Sequence, residues 1–383
     1  MDALLDTVGA AKLPITVQSA EGALVWDAAG RTYWDFYGGH AVTLIGQAHP
    51  RWTDALARQA RQLSFVTTLA DTPVRTRAAE AVCVFTGMDR VFFVNSGAEA
   101  NEAALKIARK ATGRPVIVAM ERGFHGRSMG ALGVTWRYRD QHAPAHGEVR
   151  FVPFGDADAL AEALDEDVAA VITEPIQGIA GIIEPPEGWL ARVQALCREN
   201  GSLLICDEVQ SGMGRTGAPL VCTAQGVTPD LVTVGKGMGG GFPVAACLMT
   251  EAMAETTAPG EHGTTFGGAP LACAAVLSTL EILEEEGLLE RARALGERMK
   301  RRLRLPGVVE VRGAGAWIAV VLDRPAKPVA AALLERGLMV GTAGDPRVLR
   351  LSPPAVLPHC AVEMLAFALE AILGGARAAR EVA

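Results

Sequence analysis

From residue 90 onward, short unbroken apolar runs alternate with stretches of helical periodicity. The runs are 91–94, 116–119, 168–172, 203–206, 231–234 and 244–249, and helical patterns occupy 99–111, 158–165 and 189–199 between them. Runs with no polar alternation suit strands buried on both faces, and intervening helices are what cover those faces. The expected fold class is therefore α/β, with a mostly parallel sheet. In such folds ligands collect at the carboxyl ends of the strands, so the loops after these runs are where chemistry is to be sought.

The flanks have a different rhythm. Residues 23–27 and 33–36 read as a hairpin about a turn at 28–31, followed by helices at 52–63 and 75–85. A long helical tract spans 270–303, with a break expected near Gly287. Strands at 308–311, 317–322, 339–341 and 348–351, with helices at 327–336 and 361–373, describe a smaller α+β unit. A chain of 383 residues exceeds what one core usually organises. The expected division is an N-terminal segment 1–50 joining the small domain, a large domain 51–275, and a C-terminal small domain 276–383.

Charge and cysteine usage narrow the class. A net charge of -7 argues against nonspecific nucleic-acid binding. No apolar run reaches the length of a membrane span, and Met1-Asp2-Ala3 carries acid early, without a basic-then-apolar leader pattern. The seven cysteines are scattered singly, several in apolar runs. Reduced core thiols in a cytoplasmic protein are the expectation, with no metal site.

Lys236 follows the run 231–234 at once, inside Gly235-Lys236-Gly237-Met238-Gly239-Gly240-Gly241. An unpaired buried ammonium is costly. The lysine must pair with a carboxylate, form an imine with an aldehyde, or face solvent. After 91–94 comes Asn95-Ser96-Gly97-Ala98-Glu99, where Ser96 and Glu99 match a capping box and Gly97 and Ala98 leave the first helical N–H groups uncovered. Such an end is either an ordinary cap or a phosphate cradle. Phe124-His125-Gly126-Arg127 brings two rings that could stack on a flat ligand, and a guanidinium that could hold a carboxylate. Asp207-Glu208-Val209-Gln210 closes the run 203–206. One of its acids could keep a ring nitrogen protonated, Val209 could press on a ring face, and Gln210 could donate to a ring oxygen; a metal pair or a salt-bridged pair is the alternative. Glu174, in Glu174-Pro175-Ile176-Gln177-Gly178, reads as a supporting carboxylate or a cap. The segment 262–268 offers hydroxyls, including Thr265, or simply a polar turn. Arg350 is a lone charge in the apolar run 348–351, so it needs an acid on the protein or on a substrate.

A phosphate cradle, a stacking group, a carboxylate for a ring nitrogen, an imine-forming lysine and carboxylate-binding arginines together suit pyridoxal 5'-phosphate. Over nearly its whole length the sequence resembles the class III aminotransferases, a branch of the fold-type I pyridoxal-phosphate enzymes, and most of all the acetylornithine and ornithine aminotransferase group. The resemblance is densest at 92–110, 124–127, 174–178, 207–217, 235–240 and 263–270. It implies a seven-stranded large-domain sheet and ping-pong transfer of an amino group from an amino acid to a 2-oxo acid such as 2-oxoglutarate or pyruvate. Lys236 would form the imine and shuttle the proton, and Asp207 would pair with the pyridine nitrogen. Phe124 and Val209 would sandwich the ring, with His125 beside it, and Gln210 would contact its hydroxyl. Gly97 and Ala98 would hold the phosphate, with Ser96 nearby. Thr265 would reach the phosphate of a partner subunit in a homodimer. Arg350 would bind an α-carboxylate, and Arg127 a carboxylate of the second substrate.

This chain also departs from the pattern. Many members that act on ω-amino acids carry a glutamate after Gln177-Gly178 that folds over the second arginine; here that position is Ile179. Two tyrosines of the ornithine-type members correspond to Ala10 and His40, and the usual asparagine before Pro270 is Ala269. Ile179 favours substrates that present an α-carboxylate next to the reacting amine, an α-amino acid such as alanine with pyruvate among them, and the other changes disfavour free ornithine while leaving acetylornithine or another N-blocked diamino acid open. Racemisation, aminomutation or elimination on the same scaffold is the alternative chemistry, and a non-enzymatic amino-acid sensor is a further one. Replacing Ile179→Glu is expected to shift preference toward ω-amino donors, because a mobile acid could then mask Arg350. The check is to compare both half-reactions in the two proteins, and unchanged donor preference would refute it.

Overall fold

The computed structural model describes residues 12–138 and 147–381; Ala10 and the opening Met1-Asp2-Ala3 lie outside the described residues. Three antiparallel strands come first: β1 (Val17–Glu21), β2 (Leu24–Asp27) and β3 (Thr32–Asp35). The β2–β3 turn is held by Asp27, whose Oδ1 accepts the N–H groups of Ala29 and Arg31 at 2.9 Å each. Strand β1 has no counterpart in the apolar pattern. Its sequence, VQSAE, is almost wholly exposed, so backbone pairing alone defines it.

Next come β4 (Arg90–Val94), β5 (Val116–Met120), β6 (Val149–Val152), β7 (Val168–Thr173), β8 (Leu203–Asp207), β9 (Leu231–Val234) and β10 (Ala245–Met249). They form one seven-stranded sheet in the order β4-β10-β9-β8-β7-β5-β6. Six of these strands coincide with the apolar runs. The seventh, β6, is an edge strand carrying Arg150, which reaches Asp165 at 2.6 Å and the carbonyl of Ala163 at 3.0 Å. A charge on a four-residue edge hides it from a search for buried runs. Strand β10 is antiparallel to both β4 and β9; the other pairs are parallel. The connection from β9 to β10 is too short for a parallel crossover. Lys236 therefore sits in a tight reversal at the sheet's carboxyl edge.

Both faces of this sheet are covered. The helix Gly97–Thr112 buries Ala100, Ala103, Ala104, Leu105, Ile107 and Ala108, and its alanines let it lie close on the strands. The helix Pro270–Glu285 packs on the helices Pro50–Gln62 and Pro73–Thr86. The long C-terminal tract breaks as expected at Gly287, whose φ of 60° caps the start of the helix Leu288–Arg302.

The remaining strands are β11 (Val308–Ala314), β12 (Trp317–Leu322), β13 (Leu338–Met339), β14 (Gly341–Thr342) and β15 (Val348–Leu351). The single strand expected at 339–341 is two. Strand β13 pairs in parallel with β3, whereas β14 pairs with β15 in the sheet β11-β12-β15-β14. Periodicity cannot show a chain changing sheets across Val340. Helices Ala326–Glu335 and His359–Glu381 complete the smaller α+β part.

Arg215, wholly buried, joins these parts. Its Nη1 donates to the carbonyls of Ala316 (3.1 Å) and Pro353 (2.5 Å), and its Nη2 to that of Ala41 (3.1 Å). Burial lowers its pKa and the nearby Asp35 charge opposes this. Arg215→Met would leave these three carbonyls without their donor. At about 1–3 kcal/mol for each buried polar group left unpaired, the expected loss is roughly 3 kcal/mol or more. Urea unfolding of the two proteins measures it, and an unchanged midpoint would refute the role.

Candidate active site

Strand β8 ends in Asp207, which is buried and carries the densest hydrogen-bond set at the sheet edge. Its Oδ2 accepts from His125 Nδ1 at 2.7 Å and from Asn101 Nδ2 at 2.8 Å; its Oδ1 accepts from the Val209 N–H at 3.0 Å. Burial pushes the carboxyl's pKa up, but the bond and charge of His125 and the bonds from Val209 and Asn101 more than offset it. The group sits below the ordinary carboxylate range. Asp207 is thus an anion kept in a dry place by donors behind it.

Asn101 is itself fixed. Its Oδ1 accepts from Thr233 Oγ1 on β9 at 2.8 Å, and its Nδ2 also donates to the His125 carbonyl at 2.6 Å. The His125 N–H in turn donates to Thr135 Oγ1 at 2.9 Å. His125 is thus tied to Asp207 through Nδ1, and both it and Phe124 line the cavity.

A cavity of about 230 Å³ opens over Asp207. It is lined by Gly97, Ala98, Phe124, His125, Glu174, Ile179, Val209, Gln210 and Lys236, with Asn101 at its back. Most of the residues singled out from scattered motifs thus meet in one place. The N–H groups of Gly97 and Ala98 have no acceptor within their helix and lie at this cavity. Ser96 caps the helix, its Oγ accepting the Glu99 N–H at 3.3 Å. The reciprocal half of the expected box is displaced by one residue: Glu99 Oε2 accepts from the N–H of Asn95 at 2.6 Å. A Cβ on Gly97 would come within 2.6 Å of Val209 Cγ1, so only glycine allows this approach.

Lys236 adopts φ 45°. Its ammonium is desolvated, which lowers its pKa; Asp207 and Glu174 oppose this, and Arg350 adds to it. Glu174 accepts from the N–H groups of Phe124 and Gly178, both at 3.0 Å. Burial pushes its pKa up to about 7, with His125 opposing and Asp207 adding to the rise. Glu208 turns away from the cavity, accepting from Ser211 Oγ and the Cys222 N–H at 2.8 Å each. It is a structural acid, and among the described residues it makes no ion pair.

Arg350 projects from β15 and is 3% exposed. Its Nη2 donates to His40 Nδ1 at 3.2 Å, while Nε and Nη1 are buried without a partner among the described residues. Buried guanidinium donors left open in this way suit an incoming anion. His40 lies in a run, Gly38–Ala41, with φ values of 58°, 56°, 63° and 71°. Left-handed backbone at non-glycine residues is strained and persists only where its surroundings hold it. Here Asp35 Oδ1 accepts the N–H groups of Tyr37 (2.8 Å) and Gly38 (2.7 Å), Gln210 Nε2 donates to the His40 carbonyl (3.3 Å), and Arg215 holds Ala41.

Five expected site residues, Ser96, His40, Arg127, Thr265 and Arg350, are not part of the cavity lining. Thr265 is exposed, and its neighbour Thr264 accepts from Asn95 Nδ2 at 3.1 Å. Arg127 is exposed and lies over the Tyr138 ring, 4.5 Å from its centroid. Asn101, Thr233 and Tyr37 were not singled out from the sequence. A polar Asn101 on the otherwise apolar face of an alanine-rich helix, one turn past Gly97, was the available signal.

A buried anion, a helix N-terminus and a desolvated lysine around one cavity suit pyridoxal phosphate. The residues fit the cofactor: Asp207 for its ring nitrogen, the Gly97–Ala98 end for its phosphate, Lys236 for its aldehyde. The chain belongs to the class III aminotransferases, whose family model, "Aminotransferase class-III", matches residues 6–373. It is 45% identical over 380 residues to the acetylornithine aminotransferase of Streptomyces coelicolor, covering 97% of this chain and 93% of that one. It is 43% identical over 369 residues to that of Mycobacterium tuberculosis, covering 94% and 92%. The structure matches the ornithine aminotransferase of Toxoplasma gondii with a TM-score of 0.90 at 33% identity, covering 96% and 93%.

The Glu174 environment sets a pH dependence. Its pKa in the folded protein is about 7, against about 4.3 in an unfolded chain. Between these values the folded state holds one more proton than the unfolded state, so this group's contribution to stability falls as pH rises. Glu174→Gln should flatten that slope. Urea unfolding at pH 4.5 to 7 checks it, and parallel curves for the two proteins would exclude the assignment.

Proposed function

We propose that this aminotransferase moves the amino group of acetylornithine, or another N-blocked diamino acid, to a 2-oxo acid such as 2-oxoglutarate. The observation that carries the carboxylate half of this reading is Arg350, a buried guanidinium with two unsatisfied donors near Lys236. Ile179 at the cavity, in place of an acid, leaves Arg350 without a carboxylate to mask it. The names of the relatives above support the diamino-acid half.

Bound pyridoxal phosphate supplies an electron-accepting ring that makes the substrate's α-type C–H bond acidic. The chain's residues do the rest. Asp207 would keep the ring nitrogen protonated, and His125 and Asn101 keep Asp207 ionised and aligned. Lys236, with its pKa lowered by burial, would act as the base that takes the proton from the substrate carbon and as the acid that gives it back. Phe124 and Val209 would flank the ring, Gln210 would contact its hydroxyl, and Ser96, Gly97 and Ala98 would hold the phosphate. Glu174 braces the Phe124 and Gly178 backbones around the site. Arg350 would bind the α-carboxylate of glutamate or of the 2-oxo acid that accepts the amine, and Arg127 a carboxylate of the second substrate, the diamino acid, whose carboxylate lies far from its reacting amine.

The working form we infer is a homodimer in which Thr265 reaches the neighbouring phosphate. Its exposure beside the exposed Phe266, paired with Phe65 at 5.3 Å, supports this. Cysteines buried or singly placed, all with free thiols, support a cytoplasmic setting. No described helix is long and apolar enough to cross a membrane. The pairing of β3 with β13 supports segment 1–50 joining the small domain 276–383 beside the large domain 51–275.

A donor screen read at the cofactor absorbance tests the reading. Acetylornithine and glutamate should convert the cofactor to its amine form without added acceptor, and free ornithine should do so far more slowly. Removing one partner of a buried charge pair costs about 2–5 kcal/mol. Arg350→Ala should therefore raise the KM for 2-oxoglutarate by roughly 30-fold or more. Rapid conversion by ornithine alone, or an unchanged KM, would overturn it.

A further inference from the structure

The strained run Gly38–Ala41 presents His40 to the guanidinium of Arg350, and Arg350 Nη2 donates to His40 Nδ1 at 3.2 Å. Because Nδ1 accepts, the neutral ring carries its proton on Nε2, where Tyr37 Oη lies in hydrogen-bond contact. The Tyr37 ring stacks edge-on at 4.7 Å between centroids. Although the residue is exposed at the surface, partial desolvation and the charges of Arg350, Lys236 and Arg127 lower the imidazole pKa to about 4, which favours the neutral ring. Tyr37, His40 and Arg350 thus form one chain of contacts ending at two open donors.

We propose that His40 is the resident cap of Arg350, a neutral and displaceable acceptor that occupies the carboxylate-binding guanidinium until a substrate carboxylate replaces it. The proposal rests on the reading of Arg350 as a carboxylate site. A glutamate at position 179 would compete with substrate as a full charge; Ile179 cannot compete at all. His40 lies between these extremes. An imidazole acceptor covers the guanidinium while the site is empty, yet loses to a carboxylate, whose charge-assisted bonds are about twice as strong. The exchange needs only a side-chain rotation. Gln210 and Arg215 hold the carbonyls of His40 and Ala41, so the backbone stays in place while the ring leaves. The residue is thereby specificity-determining: it favours partners that carry a carboxylate at this end, and it leaves Arg350 covered for donors that carry none.

The test is calorimetric binding of glutarate, a dicarboxylate with no amine or oxo group, to the pyridoxal-phosphate-loaded enzyme. His40→Gly removes the ring and keeps the left-handed backbone free of strain; His40→Asn also tolerates that backbone. Both should bind glutarate about ten-fold tighter than the native enzyme, as displacement of the cap is no longer required, and His40→Glu about ten-fold weaker. Arg350→Ala should lose binding. If Arg350→Ala loses binding but His40→Gly and His40→Asn bind no tighter, the cap is overturned and the carboxylate site stands. If Arg350→Ala binds as well as the native enzyme, both are overturned. A second readout needs no variant. The His40 Nδ1 resonance in the nitrogen spectrum of the native enzyme should move on glutarate saturation as Arg350 leaves it, and no movement would also overturn the cap.

Discussion

One buried negative charge organises this molecule. Asp207 sits at the carboxyl end of a central strand, away from water, where an unsupported carboxylate would take up a proton. It stays ionised because His125, Asn101 and the Val209 backbone all donate to it. Each donor comes from a different segment: the loop after β5, the helix Gly97–Thr112, and the loop after β8. Thr233 on β9 then locks Asn101 from its other side. The charge therefore ties three neighbouring parts of the sheet edge.

Close approach is the second constraint. Gly97 meets Val209 with no room for a Cβ, and Gly126 lies so close to Ala98 that its Cβ would fall 2.7 Å from that of Ala98. Such contacts bring helix N-terminus, ring-stacking residue and lysine loop into one small cavity. The antiparallel entry of β10 does the same for Lys236, since a short reversal leaves the lysine at the sheet edge instead of carrying the chain away along a crossover helix.

The departures at Ile179 and His40 acquire a joint meaning in three dimensions. Separately, one is an apolar residue at a cavity and the other a polar residue on a strained turn. Together they give Arg350 an imidazole hydrogen-bond partner and, among the described residues, no carboxylate in ion-pair contact. The strain of the turn is sustained by Asp35, Gln210 and Arg215, each of which is buried. Arg215 also joins the turn to the smaller part of the fold, so the carboxylate end of the site depends on how the parts of the chain pack.

Much of this was written in local pattern. Buried strands announce themselves as unbroken apolar runs, because both faces must be dry. The glycine at 287 marks a helix break, and Asp207 and Lys236 stand out as charges where a core strand ends. The partners of those charges were not legible. Asn101 stands out as a polar residue on an apolar helix face, but that it meets Asp207 and Thr233, each more than a hundred residues away, is decided only by folding. The edge strand β6 and the split at Val340 escaped for a related reason, since pairing and not burial defines them. Residue type and order determined the chemistry on offer; tertiary packing alone decided which way His125 and Glu208 face and which imidazole meets Arg350, because contacts across hundreds of residues have no local signature.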